Sequence, residues 1–292
     1  MDTRVRVACL QLNSGNDLES NLATVRTMAR EAAGGGAKLI LTPEYVLMMD
    51  GSGRVMRERA LAADGAPALD ELRALARELG VWLLVGSLTL RTEDGRIANR
   101  SFLLSADGNL IATYDKIHMF DVDLADGESY RESNSYRPGE LAVLADLPWG
   151  RLGVTICYDL RFPALYRALA EAGASMLTIP SAFTRQTGEA HWHVLNRARA
   201  IENGCFVFAA AQCGKHESGR ETFGHSLIVD PWGRTLAEGG SEPGLLMAEI
   251  DPAEVSRARA RIPSLQHGRR FEVVEPMAEP VHLHLVRGTG AE

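Results

Sequence analysis

The sequence predicts an α/β protein whose sheets are covered by helices on their outer faces. Strand-length apolar segments alternate with segments of helical spacing in both halves of the chain, and hairpin-like strand pairs occur in each half as well. That mixture suits layered sheets and helices around a shared core. A further observation sets the scale. The chain has 292 residues, 46% of them hydrophobic, enough for a sizeable core, and no composition break marks a linker, so one domain is favoured.

Val5-Arg-Val-Ala-Cys-Leu-Gln11 reads as a strand. Leu18, Leu22, Val25, Met28 and Ala29 then share one helical face, which predicts a helix over 18–33. Gly34-Gly35-Gly36 stops that helix; a dinucleotide fingerprint needs the opposite order, with the strand before the glycines and the helix after them. Lys38–Thr42 is a short buried strand closed by Pro43. A helix over 68–79 precedes a strand over 81–85. Strands over 100–105 and 109–114 flank Ala106-Asp107-Gly108, which carries the Asp-Gly hairpin signal. Residues 115–138 are polar and lack periodicity; a connection of that length points to a functional loop. The second half repeats the style without a sequence repeat: strands over 151–156, 175–179, 205–211, 223–229 and 245–250, with helices near 163–172 and 188–203. The final thirty residues, mixing Pro, His, Gly and Arg, read as an arm that packs on a partner subunit.

Net charge is −7, from 31 basic and 38 acidic residues. This argues against nucleic acid or an anionic membrane as a partner, since both call for clustered Lys and Arg. Arg197/Arg199 and Arg257/Arg259/Arg261 read as solvated helix faces or inter-subunit ion pairs. The four cysteines, at 9, 157, 205 and 213, form no Cys-x-x-Cys pair and are too scattered for a disulfide scaffold, so reduced thiols are expected. The N-terminus lacks the apolar stretch of a signal peptide, and no apolar run approaches the roughly 20 residues of a membrane span. The expectation is a soluble, cytoplasmic protein.

Three residues follow strands. Cys157 succeeds Arg151–Ile156, where Cys157-Tyr-Asp-Leu-Arg-Phe-Pro163 opens a helix; a helix N-terminus there would lower the thiol pKa. Glu44 follows Leu39-Ile-Leu-Thr-Pro43, and Lys116 follows the strand ending at Tyr114. Taken singly, each has a plainer reading: a core thiol, a helix-start acid and a surface lysine. Together they supply a nucleophile, a proton acceptor that later activates water, and an ammonium beside a tetrahedral oxyanion, to which the Tyr158 N–H could add a second donor. Amide hydrolysis through a thioester needs these roles and no metal. His191-Trp192-His193 is a poor chelate, because a spacing of two on a helix turns the imidazoles to different faces. No metal and no cofactor are expected. A Cys-His-Asp triad of Cys157, one of eight histidines and Asp159 stays open.

With Leu41-Thr-Pro-Glu44, Tyr114-Asp-Lys-Ile-His118 and Gly153-Val-Thr-Ile-Cys-Tyr-Asp-Leu-Arg161 in order, the chain resembles the nitrilase (carbon–nitrogen hydrolase) superfamily from the first strand to about residue 271. The resemblance implies a four-layer α-β-β-α sandwich over residues 1–271, with 272–292 as a tail or oligomerisation arm. It implies Glu44 as base, Lys116 as catalytic lysine, Cys157 as nucleophile, and a second glutamate between lysine and cysteine. Glu132 in Tyr130-Arg-Glu-Ser-Asn-Ser135 matches that glutamate, with Glu128 the nearby competitor.

Pro180-Ser-Ala-Phe-Thr184, Ala190-His-Trp192, Arg197-Ala-Arg-Ala-Ile-Glu202 and Gly224-His-Ser226 resemble one branch, the deaminated-glutathione amidases, next to the ω-amidases that act on 2-oxoglutaramate. The implied substrate is a small 2-oxo acid amide, cut to 2-oxoglutarate and cysteinylglycine or, in the neighbouring branch, ammonia. Arg161, Phe183 and Thr187 are implied substrate contacts, Arg161 as a carboxylate clamp or, structurally, as an ion partner of Asp159 or another acid. The Lys215–Arg220 loop and Arg185-Gln186 depart from the branch on what could be the leaving-group side. A homodimer or higher homo-oligomer is implied as well. Nitrile hydrolysis and other aliphatic amides remain alternatives within enzymes, and a non-catalytic binding scaffold of the same fold is the alternative outside them.

Overall fold

The structure, a computed structural model, describes residues 4–50, 52–124, 127 and 129–274. In chain order it contains β1 (Val5–Gln11), α1 (Leu18–Gly34), β2 (Leu39–Leu41), α2 (Gly53–Glu58), α3 (Ala68–Leu79), β3 (Trp82–Arg91), β4 (Ile97–Leu104), β5 (Leu110–Asp115), β6 (Asp121–Asp123) and β7 (Ser129–Arg131). Then follow β8 (Val143–Leu147), β9 (Gly150–Val154), α4 (Pro163–Glu171), β10 (Met176–Thr178), α5 (Arg185–Asn203), β11 (Phe206–Ala209), β12 (Cys213–Lys215), β13 (Glu221–Phe223), β14 (Leu227–Val229), β15 (Thr235–Glu238), β16 (Gly244–Ile250) and α6 (Ala253–Arg261).

Two six-stranded sheets form, in the orders β16-β1-β2-β3-β4-β5 and β15-β14-β11-β10-β9-β8. In each, three central strands run parallel, β1-β2-β3 and β9-β10-β11, and antiparallel strands complete the edges. The two-residue alternation of a strand sorts the side chains. Val7, Cys9, Leu39 and Leu41 point into one core with Leu152, Val154 and Met176 of the second sheet. Ala8, Leu10 and Ile40 point the other way, against Leu22 and Val25 of α1 and Leu72 of α3. Helices α4 and α5 cover the second sheet in the same manner. The result is the four-layer α-β-β-α sandwich. Each fully buried Leu or Ile in these layers contributes about 1.5–3 kcal/mol.

Differences from the sequence expectation concentrate in short elements. The strand expected over 81–85 continues to Arg91, across a bulge between Val85 and Leu88. The strand expected over 223–229 breaks into β13 and β14, because Gly224 and His225 both take positive φ (74° and 52°) and turn the chain. The loop over 115–138 contains the β6–β7 ribbon and a 3₁₀ turn at Glu132–Asn134. Glu128 and the arm beyond Val274 lie outside the described residues. The basic stretches are not simply solvated faces. Arg199 is buried and donates to the Leu160 carbonyl at 3.0 and 2.7 Å, while Arg259 donates to Asn203 and Ala174 carbonyls.

Parallel strands deliver their C-terminal ends to one edge of each sheet, where functional groups of α/β proteins gather. One glycine controls that edge. A Cβ on Gly86 would stand 2.1 Å from the Thr42 carbonyl oxygen and 2.3 Å from that of Pro43, so the backbone leading to Glu44 crosses β3 only because residue 86 lacks a side chain. Gly86→Ala is therefore expected to cost about 3 kcal/mol, as overpacking against immobile backbone does. Urea unfolding checks this; a midpoint equal to wild type would show that the segment shifts freely.

Candidate active site

Glu44 leaves the end of β2 in a segment pinned to β3: Thr42 N–H donates to the Leu84 carbonyl (3.0 Å), Gly86 N–H to the Thr42 hydroxyl (2.9 Å) and Tyr45 N–H to the Ser87 hydroxyl (2.9 Å). Tyr45 sits at φ 56°, a left-handed conformation that costs a bulky residue about 1–3 kcal/mol. Cys157, just past β9, is in the same region at φ 48°. Its turn is tied down on three sides. The Cys157 N–H donates to Pro180 (2.9 Å), Arg199 holds the Leu160 carbonyl, and the fully buried Asp159 carboxylate accepts from Ile156 N–H (2.8 Å), His118 N–H (3.1 Å) and the Tyr114 hydroxyl (2.6 Å). Asp159 thereby couples the Cys157 turn to the segment carrying Lys116.

Lys116 is buried, and its Nζ lies 3.2 Å from Glu44 Oε1 and 3.0 and 2.8 Å from the two Glu132 oxygens. Glu44 also accepts from Asn99 Nδ2 and the Ala182 N–H, both at 2.8 Å. Glu132 accepts from the Tyr45 hydroxyl (3.0 Å) and the Phe120 N–H (2.6 Å). The long loop thus folds to insert one carboxylate. Burial weighs most heavily on Lys116 and favours the neutral amine, but Glu132, Glu44 and Cys157 together outweigh it and hold the ammonium well above its ordinary pKa.

Cys157 reverses the expectation of a lowered thiol pKa. Burial pushes the thiol up, the Glu44 carboxylate pushes it further, and the Lys116 ammonium opposes them without prevailing. A 3₁₀ turn of five residues supplies too small a dipole to compensate. Burial and the Glu44 charge thus favour a neutral Cys157 thiol in the folded protein.

These groups line a cavity of ≈ 250 Å³. Tyr158, Phe183 and Thr187 line it too, and Thr187 shares a hydrogen bond with Thr184 (2.8 Å). Arg161 is not among the lining residues. Its guanidinium lies 5.8 Å from the Tyr158 ring centroid, 5.2 Å from that of Phe183 and 3.3 Å from His191 Nδ1; among the described residues it forms no ion pair with Asp159 or another acid. His118 stacks on Phe162 and meets Asp159 at 2.7 Å; neither lines the cavity, so the Cys-His-Asp alternative finds no support. Asn99, the Ala182 N–H and Arg220, which lines the cavity from the hairpin loop, were not singled out from sequence. Each comes from a chain segment remote from the residues it serves; the motif Pro180–Thr184 and the Lys215–Arg220 loop stand out in the sequence, but no local pattern marks these individual groups. Elsewhere His193 Nε2 and His225 Nδ1 both meet Glu238 Oε1 (2.8 and 3.2 Å), a trio that could share a cation, whereas His191 turns away towards Arg161.

The arrangement offers a thiol, an adjacent proton acceptor and a fixed ammonium in one partly enclosed cavity, the requirements of acyl transfer. Comparison with known proteins agrees. The family model described as carbon-nitrogen hydrolase matches residues 6–260. A deaminated glutathione amidase of Yersinia enterocolitica is 44% identical over 273 residues, covering 92% of this chain and 95% of that protein. Its human counterpart is 43% identical over 270 residues, covering 90% and 82%. The crystal structure of Saccharomyces cerevisiae Nit3, described as a member of branch 10 of the nitrilase superfamily, has a TM-score of 0.81 at 31% identity, covering 89% of this chain and 94% of that one.

Proposed function

The chain belongs to the carbon–nitrogen hydrolase family, and on that premise we propose that it is an amidase acting on deaminated glutathione through a thioester on Cys157. The observation that carries the mechanism is the buried set of Glu44, Lys116, Glu132 and Cys157 on one cavity wall. The relatives' names at 43–44% identity support the substrate.

Glu44 accepts the thiol proton as sulfur attacks the amide carbon. The oxyanion is stabilised by the Lys116 ammonium and by the N–H of Tyr158, which stands in a first turn where an N–H has no intrahelical acceptor. Glu44 returns the proton to the departing nitrogen, and cysteinylglycine leaves. Water then loses a proton to Glu44 and attacks the thioester. 2-Oxoglutarate departs, and the proton on Glu44 restores the Cys157 thiol. Glu132 has a distinct role in this cycle. Once Glu44 is protonated, one of the two anions beside Lys116 is neutral, and Glu132 keeps the ammonium charged and in place.

Among the described residues no helix is long and apolar enough to cross a membrane. A cytoplasmic location is part of this reading. A homo-oligomer is too: Val194 and Ile201, seven residues apart on α5, are exposed together with Trp232, and the following Gly233 packs on Ile201. Exposed apolar side chains grouped in this way suit an interface with a second copy. Light scattering on the purified protein is expected to give at least a dimer, and Ile201→Glu to weaken it; a wild-type monomer at micromolar concentration contradicts this.

The catalytic reading predicts 2-oxoglutarate release from deaminated glutathione and, more slowly, from 2-oxoglutaramate. Cys157→Ala is expected to abolish it. Lys116→Met is expected to lower kcat by about 10²–10³-fold, as loss of an oxyanion donor does, and Glu132→Gln to lower kcat more than it raises KM. Near-wild-type turnover in Cys157→Ala would refute the mechanism. A strong preference for 2-oxoglutaramate, or inactivity on both, would refute the substrate.

A further inference from the structure

We infer that Arg220 binds a carboxylate of the substrate and so selects carboxylated amides over neutral ones. The inference rests on reading the substrate as a 2-oxo acid amide. Arg220 stands on the loop between β12 and β13, immediately before β13, and that hairpin is anchored to the site. His216 is buried, with Nδ1 2.9 Å from the Ser14 carbonyl and Nε2 2.7 Å from the Thr222 hydroxyl. Phe223 N–H donates to the Phe183 carbonyl (2.9 Å), and the backbone of Thr222 bridges to that of Thr184. A loop held this way aims its side chain with little freedom.

The guanidinium reaches the cavity wall, where Nη2 donates to the Ala182 carbonyl at 2.8 Å. Ala182 is the residue whose N–H holds Glu44, so Arg220 and the proton acceptor are fastened to opposite sides of one residue. The guanidinium carbon also lies 5.3 Å from the Tyr130 ring centroid, an aromatic platform that fixes its plane.

What the guanidinium lacks is an anion. It has five N–H donors, and Nε is buried without a hydrogen-bond partner. Among the described residues no carboxylate pairs with it. The other cavity cations are already matched: Lys116 by Glu44 and Glu132, and Arg131 by both oxygens of Asp123 at 2.8 Å. A guanidinium without a carboxylate partner, held by Ala182 and Tyr130 at the wall of the cavity that Cys157 also lines, is complementary to a carboxylate on the bound substrate. Arg161 is not among the residues that line the cavity.

The test compares kcat/KM for deaminated glutathione, 2-oxoglutaramate and butyramide, the last a neutral amide, in wild type, Arg220→Gln and Arg220→Lys. The selectivity for carboxylated over neutral amide is expected to fall by at least about tenfold in Arg220→Gln, the order of one lost charge-assisted hydrogen bond, mostly through KM. Arg220→Lys, which keeps the charge and loses the fork, is expected to fall between the two. A loss on both acids supports a contact with the 2-oxo acid end, and a loss on deaminated glutathione alone supports one with the glycyl end of the leaving group. If both variants lower turnover of all three amides in proportion, Arg220 is only structural and the inference is overturned. If wild type itself shows no preference for carboxylated amides, the substrate reading falls and this inference falls with it.

Discussion

An ammonium buried between two carboxylates governs this protein. Taking Lys116 out of water costs several kcal/mol, and so does burying each carboxylate. The cost is offset only if Glu44 and Glu132 both sit within hydrogen-bonding distance and their other oxygen sites are filled. Asn99, the Ala182 N–H, the Tyr45 hydroxyl and the Phe120 N–H fill them. Those donors come from β4, the segment after β10, the segment after β2 and the long loop. The cluster therefore requires both sheets to meet at one edge in a fixed relation.

The sandwich meets that requirement by construction. Parallel strands in each sheet release their chains at the same edge, and the core between the sheets fixes the distance across it. Two left-handed residues, Tyr45 and Cys157, store strain where the chain turns into the site. Asp159, Tyr114 and Arg199 hold the strained Cys157 turn in place, where Cys157 packs with the apolar core and lines the cavity shared with Glu44 and Lys116. Keeping the thiol neutral limits its reactivity towards oxidants, since the thiolate is the reactive form.

Much of this was legible in the sequence, for physical reasons. The apolar periodicity of 5–11, 18–33 and 68–79 marks β1, α1 and α3 because burial in a layered fold imposes that periodicity. The short α2, β8, β12 and β15 lack a pattern long enough to register, and α6 is charged over most of its surface. Glu44, Lys116 and Cys157 were visible as polar residues at the ends of strands, whereas Glu132 in an aperiodic loop emerged only through family resemblance. The sequence points to a lowered thiol pKa because a helix-start position is local and legible, while the burial and the Glu44 charge that raise it are properties of the assembled fold. The burial of Arg199 is hidden for the same reason: its acceptor, Leu160, lies 39 residues away, and the local sequence shows only a solvated face or an inter-subunit ion pair.

The central claim is that Cys157 is protonated at rest and surrenders its proton to Glu44 only during attack. The most direct measurement is the ultraviolet thiolate absorbance of wild type minus Cys157→Ser, followed from pH 6 upward. Because the folded-state pKa is raised, the thiolate signal should be absent at pH 7 and still absent where an ordinary cysteine has half ionised, near pH 9. Replacing Glu44 by Gln removes one of the two upward influences and should move the onset to lower pH. A thiolate signal already present at pH 7 in the wild type would contradict the account.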